Sequence, residues 1–194
     1  MKIFVVLSIA LLAIVPSALA QTNEPKAIQP SAPSKGAETP RDLPVGQMRL
    51  AGQVHVAEAA PDFTTLSSSG REVTLSRLRG DWLVLVFTEE REDFAAVRGV
   101  QDALANIGVR VYGICKEKAS RLRSYAESAA LPFELLADDT GEISALYGYY
   151  SLERRGTTHG FVVLDRRGVV RLALQGQAPP QQVADLVRYT IVGS

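Results

Sequence analysis

Cysteine is nearly absent: Cys115 is the only one in 194 residues. An intramolecular disulfide is therefore excluded, and so is any Cys-x-x-Cys redox pair. The two histidines, His55 and His159, lie far apart, and no spacing of metal ligands is present, so neither a metal nor another cofactor is expected. Charge of one sign is missing too. Twenty-one basic side chains meet twenty-one acidic ones, which gives no basic footprint for nucleic acid and no polybasic run for a membrane surface. The folded part contains no internal repeat and no low-complexity tract.

What remains is the composition of an ordinary globular protein, 46% hydrophobic and 22% charged, long enough for one domain plus appendages. The first twenty residues read "MKIFVVLSIALLAIVPSALA", with Lys2 ahead of an apolar run from Ile3 to Val15 and a small-x-small pattern at Ala18-Leu19-Ala20. This pattern predicts a secretory signal peptide over residues 1–20, cleaved before Gln21. A retained anchor is the competing reading, but the run is short for a bilayer span of ~20 residues. Gln21 in place of a cysteine argues against a bacterial lipoprotein. A secreted or periplasmic protein with no stable membrane span after cleavage is expected. Residues 21–53 carry Pro25, Pro30, Pro33, Pro40 and Pro44 and few apolar residues. Prolines remove backbone donors and block helices, so this stretch is expected to be a disordered or extended tether.

The folded domain is expected over residues 54–194. "PDFTTL" and "REVTL" read as strands around the turn "SSSG", and "SRLRG" as a helical turn. "WLVLVF" is a continuous apolar run suited to a central strand covered on both faces. Phe94, Val97, Val100, Leu104 and Ile107 recur at helical spacing between Glu92 and the stop at Gly108. "VRVYGI", a helix over "EKASRLRSYAESAA", the strand "FELLA", a helix over "EISALYG", the hairpin "GFVVLD-RRG-VVRLALQ" and a helix over "PPQQVADLVRYTIV" complete the order β-β-β-α-β-α-β-α-β-β-α. Such alternation predicts an α/β fold, a mixed sheet with helices on both faces.

At this point the residues resemble a known family. "AAPDFTTLSSSGREVTLSRLRGDWLVLVF", "VRVYGICKEKASRLRSYAESAALPFELLADDTGEISALYG" and "GFVVLDRRGVVR" are similar, in order, to segments of peroxiredoxins of the alkyl hydroperoxide reductase/thiol-specific antioxidant family. The resemblance covers about Ala59 to Arg171. It implies a thioredoxin-like fold of the peroxiredoxin type and a thiol peroxidase or related redoxin activity. In that chemistry a thiolate attacks the peroxide and becomes a sulfenic acid, within a Pro-x-x-x-Thr-x-x-Cys segment after the third strand and with a distant arginine. By resemblance, Glu89 stands at the proline place, Asp93 at the threonine place and Ala96 at the cysteine place, give or take a residue, and His159 or its neighbour Thr158 at the arginine place. None of the four matches, and no proline precedes "GFVVLD".

Neither alanine nor glutamate is a redox nucleophile, and Glu89, Glu90, Glu92 and Asp93 set a negative field where a thiolate needs a positive one. These acids are expected to favour the amino end of the following helix as a solvated, capped entrance. A paired-carboxylate site from Glu89 and Asp93 has no other support in the chain. Cys115 is the only conceivable redox thiol. It ends the strand "VYGIC" beside Lys116 and Lys118 at a helix start, which would lower its pKa; the alternative is a small residue packed under a loop. His159 reads either as a pH-sensitive ligand in the old substrate pocket or as a hydrogen-bonded surface group. Tyr147, Tyr149 and Tyr150 either line a groove or pack the helix before them. The pairs Arg154-Arg155 and Arg166-Arg167 read as solubilising loop cations. Whether the protein is an enzyme stays open on these residues. Two functions compete: a catalytically lapsed redoxin that binds an unknown protein or small-molecule partner through the vacated cleft, and an antioxidant oxidoreductase that uses Cys115.

Overall fold

The computed structural model describes the strand Arg49–Leu50 and residues 53–193. The expected signal peptide and most of the expected tether lie outside the described residues. Six strands form the main sheet in the order β1-β10-β9-β4-β5-β6. They are β1 (Arg49–Leu50), β4 (Trp82–Phe87), β5 (Val109–Cys115), β6 (Glu134–Ala137), β9 (Gly160–Leu164) and β10 (Val170–Gln175). β4, β5 and β6 run parallel, joined by crossovers through α1 (Phe94–Ala105) and α2 (Ala119–Ser128). β9 returns antiparallel to β4, and β10 antiparallel to β9. The sheet is mixed, as expected, and it takes in Arg49–Leu50, which sequence placed in the tether; these pair with Gln175 and Leu174.

β4 is central because it has no polar residue to expose. Five of its six residues are buried, and its alternation divides the core in two. Leu83, Leu85 and Phe87 face a layer built from the hairpin β2 (Thr64–Leu66)/β3 (Glu72–Thr74) and from α3 (Glu142–Leu146), with Tyr147 and Tyr149 at its centre. Phe87 stacks on Tyr149 with ring centroids 4.3 Å apart, an offset-aromatic gain beyond burial alone. Tyr147 donates its hydroxyl proton to the carbonyl of Pro61 at 2.7 Å. Tyr149 Oη lies 3.0 and 3.1 Å from the carbonyls of Phe161 and Leu174. These two tyrosines are core residues, not a groove. Gly160 is required here, because a Cβ would meet the Tyr149 ring and the Leu174 carbonyl.

Val84 and Val86 face the other layer, formed by α1, α2 and α4 (Pro180–Val192), with Phe94, Leu104, Leu122, Cys115 and Val187 buried in it. Gly113 lets this layer close: a Cβ there would lie 2.6 Å from both Phe94 Cε1 and Leu135 Cδ2. A two-stranded ribbon, β7 (Tyr150–Ser151) with β8 (Gly156–Thr157), precedes β9. Sequence reading assigned it to loop, since two-residue strands carry no periodicity. Its loop holds Arg154, which is half-buried rather than a solvated cation. Among the described residues no helix is long and apolar enough to cross a membrane.

Candidate functional site

The site is built at the carboxyl end of β4, where open α/β sheets place their ligands. After Phe87 the chain leaves the sheet at Thr88, whose amide donates to the Ile114 carbonyl at 3.2 Å and whose hydroxyl donates to Glu90 O at 2.9 Å. A single 3-10 turn, Arg91–Asp93, then leads into α1. The acids were expected in the first turn of the helix, yet α1 begins at Phe94 and its first turn holds none. Asp93 occupies the N-cap position in a helical backbone conformation and makes no side-chain cap. Its carboxylate turns away from the helix amides and accepts a hydrogen bond from His159 Nε2–H at 2.8 Å. The solvated, capped entrance is therefore corrected: the capping acid is spent on a residue 66 positions away.

His159 is held from the opposite side of the sheet end. It directly precedes β9, and its carbonyl accepts from the amide of Gly176 at 2.9 Å, just past the end of β10. Its side chain is 17% exposed, against 41% for Asp93. The Gln177 side-chain nitrogen lies 3.1 Å from Nε2 and 3.4 Å from Nδ1 of the ring. Below this polar rim a cavity of about 260 Å³ runs between α1, α4 and the sheet. Its walls are aliphatic and aromatic: Val84, Val86, Val97, Val100, Phe161 and Val183. Asp93, Ala96 and His159, assigned from separate segments, converge on it, with Ala96 at the solvent-exposed edge. Glu89 does not line it. Its carboxylate instead points toward Gly156, with Oε1 3.6 Å from where a Cβ of that residue would lie.

Gln177, Ala178, Pro179 and Pro180 complete the lining and were missed as site residues. Sequence reading used the two prolines only as a helix start; nothing local in "QGQAPP" signals that this loop returns to the end of β4. Cys115 is not among the lining residues. It is 0% exposed and packs in the same apolar layer as Val86, Phe94 and Leu122. Burial pushes its thiol up to about 12, and Glu117 pushes the same way. The expected lowering by lysines does not occur. Lys116 Nζ is turned to the Arg155 carbonyl at 2.9 Å and lies over the Tyr150 ring. The cation that acts to lower it, Arg91, also pairs with Glu117 at 3.2 Å and Glu92 at 3.1 Å. Cys115 thus fits the packed-residue reading and not that of an activated thiol. Among the described residues, no group of three or more His, Cys, Asp or Glu side chains is placed to hold a metal ion.

Comparison with known proteins gives this arrangement its family. The model of the AhpC/TSA family matches residues 56–173, more than half of the chain. The chain belongs to the AhpC/TSA family. Among curated relatives, it is 29% identical over 154 residues to the chloroplastic peroxiredoxin Q of Triticum aestivum, covering 75% of this chain and 70% of that one. It is 26% identical over 129 residues to the putative peroxiredoxin bcp of Coxiella burnetii, covering 60% of this chain and 85% of that one. The chain spans roughly two thirds of the length of several of the plant relatives. Solved structures agree on the fold. Peroxidoxin BcpB of Mycobacterium tuberculosis superposes with a TM-score of 0.63 at 19% identity, over 72% of this chain and 97% of that one. Enterococcus faecalis AhpC does so with a TM-score of 0.65 at 11% identity, over 71% and 92%. This family member is a peroxiredoxin-like redoxin of the thioredoxin-like superfamily.

Proposed function

We propose that this redoxin is catalytically lapsed, is exported, and acts as a binding module through the cavity between α1 and α4. One observation carries the reading: the cavity at the end of β4 contains no thiol, while the chain's only thiol is shut in the core. A peroxidatic thiol works as a thiolate, exposed to peroxide and held ionised by positive neighbours. Cys115 has the opposite setting on each count. The rim of the cavity instead presents an Asp93–His159 hydrogen bond above an apolar slot, an arrangement suited to holding a molecule by one polar contact and a buried body. Export rests on the signal-like residues 1–20.

The names of the relatives favour a second reading, thiol peroxidase activity, and in this chain it would have to run through Cys115. The test is peroxide consumption with dithiothreitol, compared between the wild type and Cys115→Ser. The lapsed reading expects slow loss, unchanged by the substitution. Fast loss that disappears in Cys115→Ser would overturn it and make Cys115 the catalytic residue. For export, mass spectrometry of the protein recovered outside the cytoplasm should find a chain starting at Gln21; retention of residues 1–20 in a membrane fraction would refute it.

A further inference from the structure

Resting on the binding reading above, we infer that the cavity is specific for a small apolar monoamine, a protonated ammonium head carrying an aliphatic or aromatic tail. The inference comes from the distribution of charge on the lining. Among the described residues that line the cavity, Asp93 is the one carboxylate, and no lysine or arginine is among them. The rest of the surface is valine, leucine, phenylalanine, alanine, glycine and proline, relieved by Thr88, Gln177 and His159. A carboxylate or phosphate head would meet the Asp93 carboxylate at the rim, with no lysine or arginine in the lining to offset it. A neutral apolar molecule would leave half of the carboxylate unused.

Asp93 has acceptor capacity to spare. Oδ2 accepts the His159 hydrogen bond, and Oδ1 has no hydrogen bond among the described residues. The His159 contact fixes the direction of the carboxylate without neutralising it when the ring is the uncharged Nε2–H tautomer. Arg91, the cation closest in sequence, is committed to Glu92 and Glu117 and lies over Tyr125. An ammonium group with three donors could therefore reach Oδ1 and the solvent together while its tail enters between Val97, Val100, Phe161 and Val183. The cavity volume of about 260 Å³ limits the tail to a short chain or one ring.

The experiment is isothermal titration of the protein with n-hexylammonium, hexan-1-ol and hexanoate at neutral pH. These share one tail and differ in head charge. The expected order is hexylammonium tightest by at least fivefold over the alcohol, and hexanoate weakest. Asp93→Asn keeps the shape of the rim and should bring hexylammonium to within twofold of hexan-1-ol. Ala96→Trp, at the exposed edge, should weaken both. If hexanoate or the alcohol binds as tightly as the amine, or if Asp93→Asn leaves the preference intact, the amine specificity is wrong while the cavity remains a binding site. If no probe binds, or if binding is indifferent to Ala96→Trp, the binding site itself fails.

Discussion

Native protein treated with iodoacetamide at pH 8 should keep Cys115 unmodified over a time in which the denatured chain is fully alkylated. The magnitude follows from two features of the thiol. Burial moves its pKa from 9.0 to about 12, so at pH 8 the thiolate fraction drops from about one in ten to about one in ten thousand. A thiolate of higher pKa is a better nucleophile, with a Brønsted slope of about 0.4–0.5, and three units return roughly 15- to 30-fold. Chemistry alone thus slows alkylation by roughly 30- to 60-fold. The second feature is access. The side chain is 0% exposed, so the reagent otherwise reaches it only through opening of the layer formed by α1 and α2, and a local opening of about 3 kcal/mol by itself slows the reaction more than a hundredfold. These are alternative routes, since opening also removes the burial that raises the pKa, so alkylation should be at least about thirtyfold slower in the native state, as read by mass spectrometry against time. Labelling within about tenfold of the denatured control, with circular dichroism unchanged, would refute the reasoning and reopen Cys115 as a reactive group.

The same burial has a signature in alkaline stability. Between about pH 9 and pH 12 the unfolded chain has lost the thiol proton and the native chain still holds it. Fewer protons are then bound in the unfolded state, so stability falls as pH rises, by about 1.4 kcal/mol per unit from this group. Other groups titrate in that range, including the buried Tyr147 and Tyr149, whose hydroxyls burial also pushes up. The informative quantity is the difference between the wild type and Cys115→Ala. It should be constant up to about pH 9 and then move in favour of the variant. A difference that stays flat to pH 10.5 would show that the thiol is not protected.

Two further predictions concern the frame of the site. Burial works to raise the Asp165 carboxyl, but the amides of Val169 and Arg167 and the Arg171 guanidinium outweigh it and hold the group below the usual carboxylate value. Asp165→Asn should cost about 2–3 kcal/mol at pH 7. That contribution is present above the unfolded carboxyl value of about 3.9 and is lost as pH falls through the lower folded value, so urea midpoints of the variant and wild type should converge near pH 2; a constant gap would refute it. Gly113→Ala should cost about 1–3 kcal/mol by forcing Phe94 and Leu135 apart, lowering Tm by about 3–10 °C. An unchanged Tm would mean that the layer behind β5 is looser than its contacts indicate.

The order of strands and helices was legible because burial on both faces leaves a continuous apolar run, as in β4, and burial on one face leaves a spacing, as in α1. The boundaries of α1 shifted by two residues at each end, the usual imprecision of helix termini. The short ribbon β7/β8 and the edge strand Arg49–Leu50 were not legible, since each is held by partners distant in sequence and has no pattern of its own. The site was legible only in part. Asp93, Ala96 and His159 could be assigned by resemblance, but their convergence depends on β9 lying beside β4. That Asp93 would abandon the helix for His159 could not be read locally, because an acid at a helix start looks the same whether it caps or not. The choice between the two readings of Cys115 could not be made locally for the same reason. Two lysines adjacent in sequence suggest a positive field, yet Lys116 points to the Arg155 carbonyl and the sulfur faces the core.

The two faces of β4 explain why the cavity beside α1 and α4 lies on the side of Val84 and Val86. On the face with Leu83, Leu85 and Phe87, large rings do the filling: Phe87, Tyr147 and Tyr149 meet in one cluster, and the two tyrosine hydroxyls donate to backbone carbonyls. On the other face the side chains opposite α1 and α4 are Val84 and Val86, met by Val97, Val100 and Val183. Valine has a short, stiff side chain that cannot extend across an interhelical gap. Five of them around one opening leave space where leucine or methionine would close it. An apolar gap of this kind costs packing energy, and it lies directly beneath the one polar contact that joins the start of α1 to the start of β9. A purely structural joint would have no need of the gap, and a tightly packed core would have closed it. Val97→Met is the direct comparison: filling the gap should raise Tm while weakening any ligand that enters beneath Asp93, whereas a loss of stability would mean that the valines are packed to their limit and that the opening is shallower than its lining suggests.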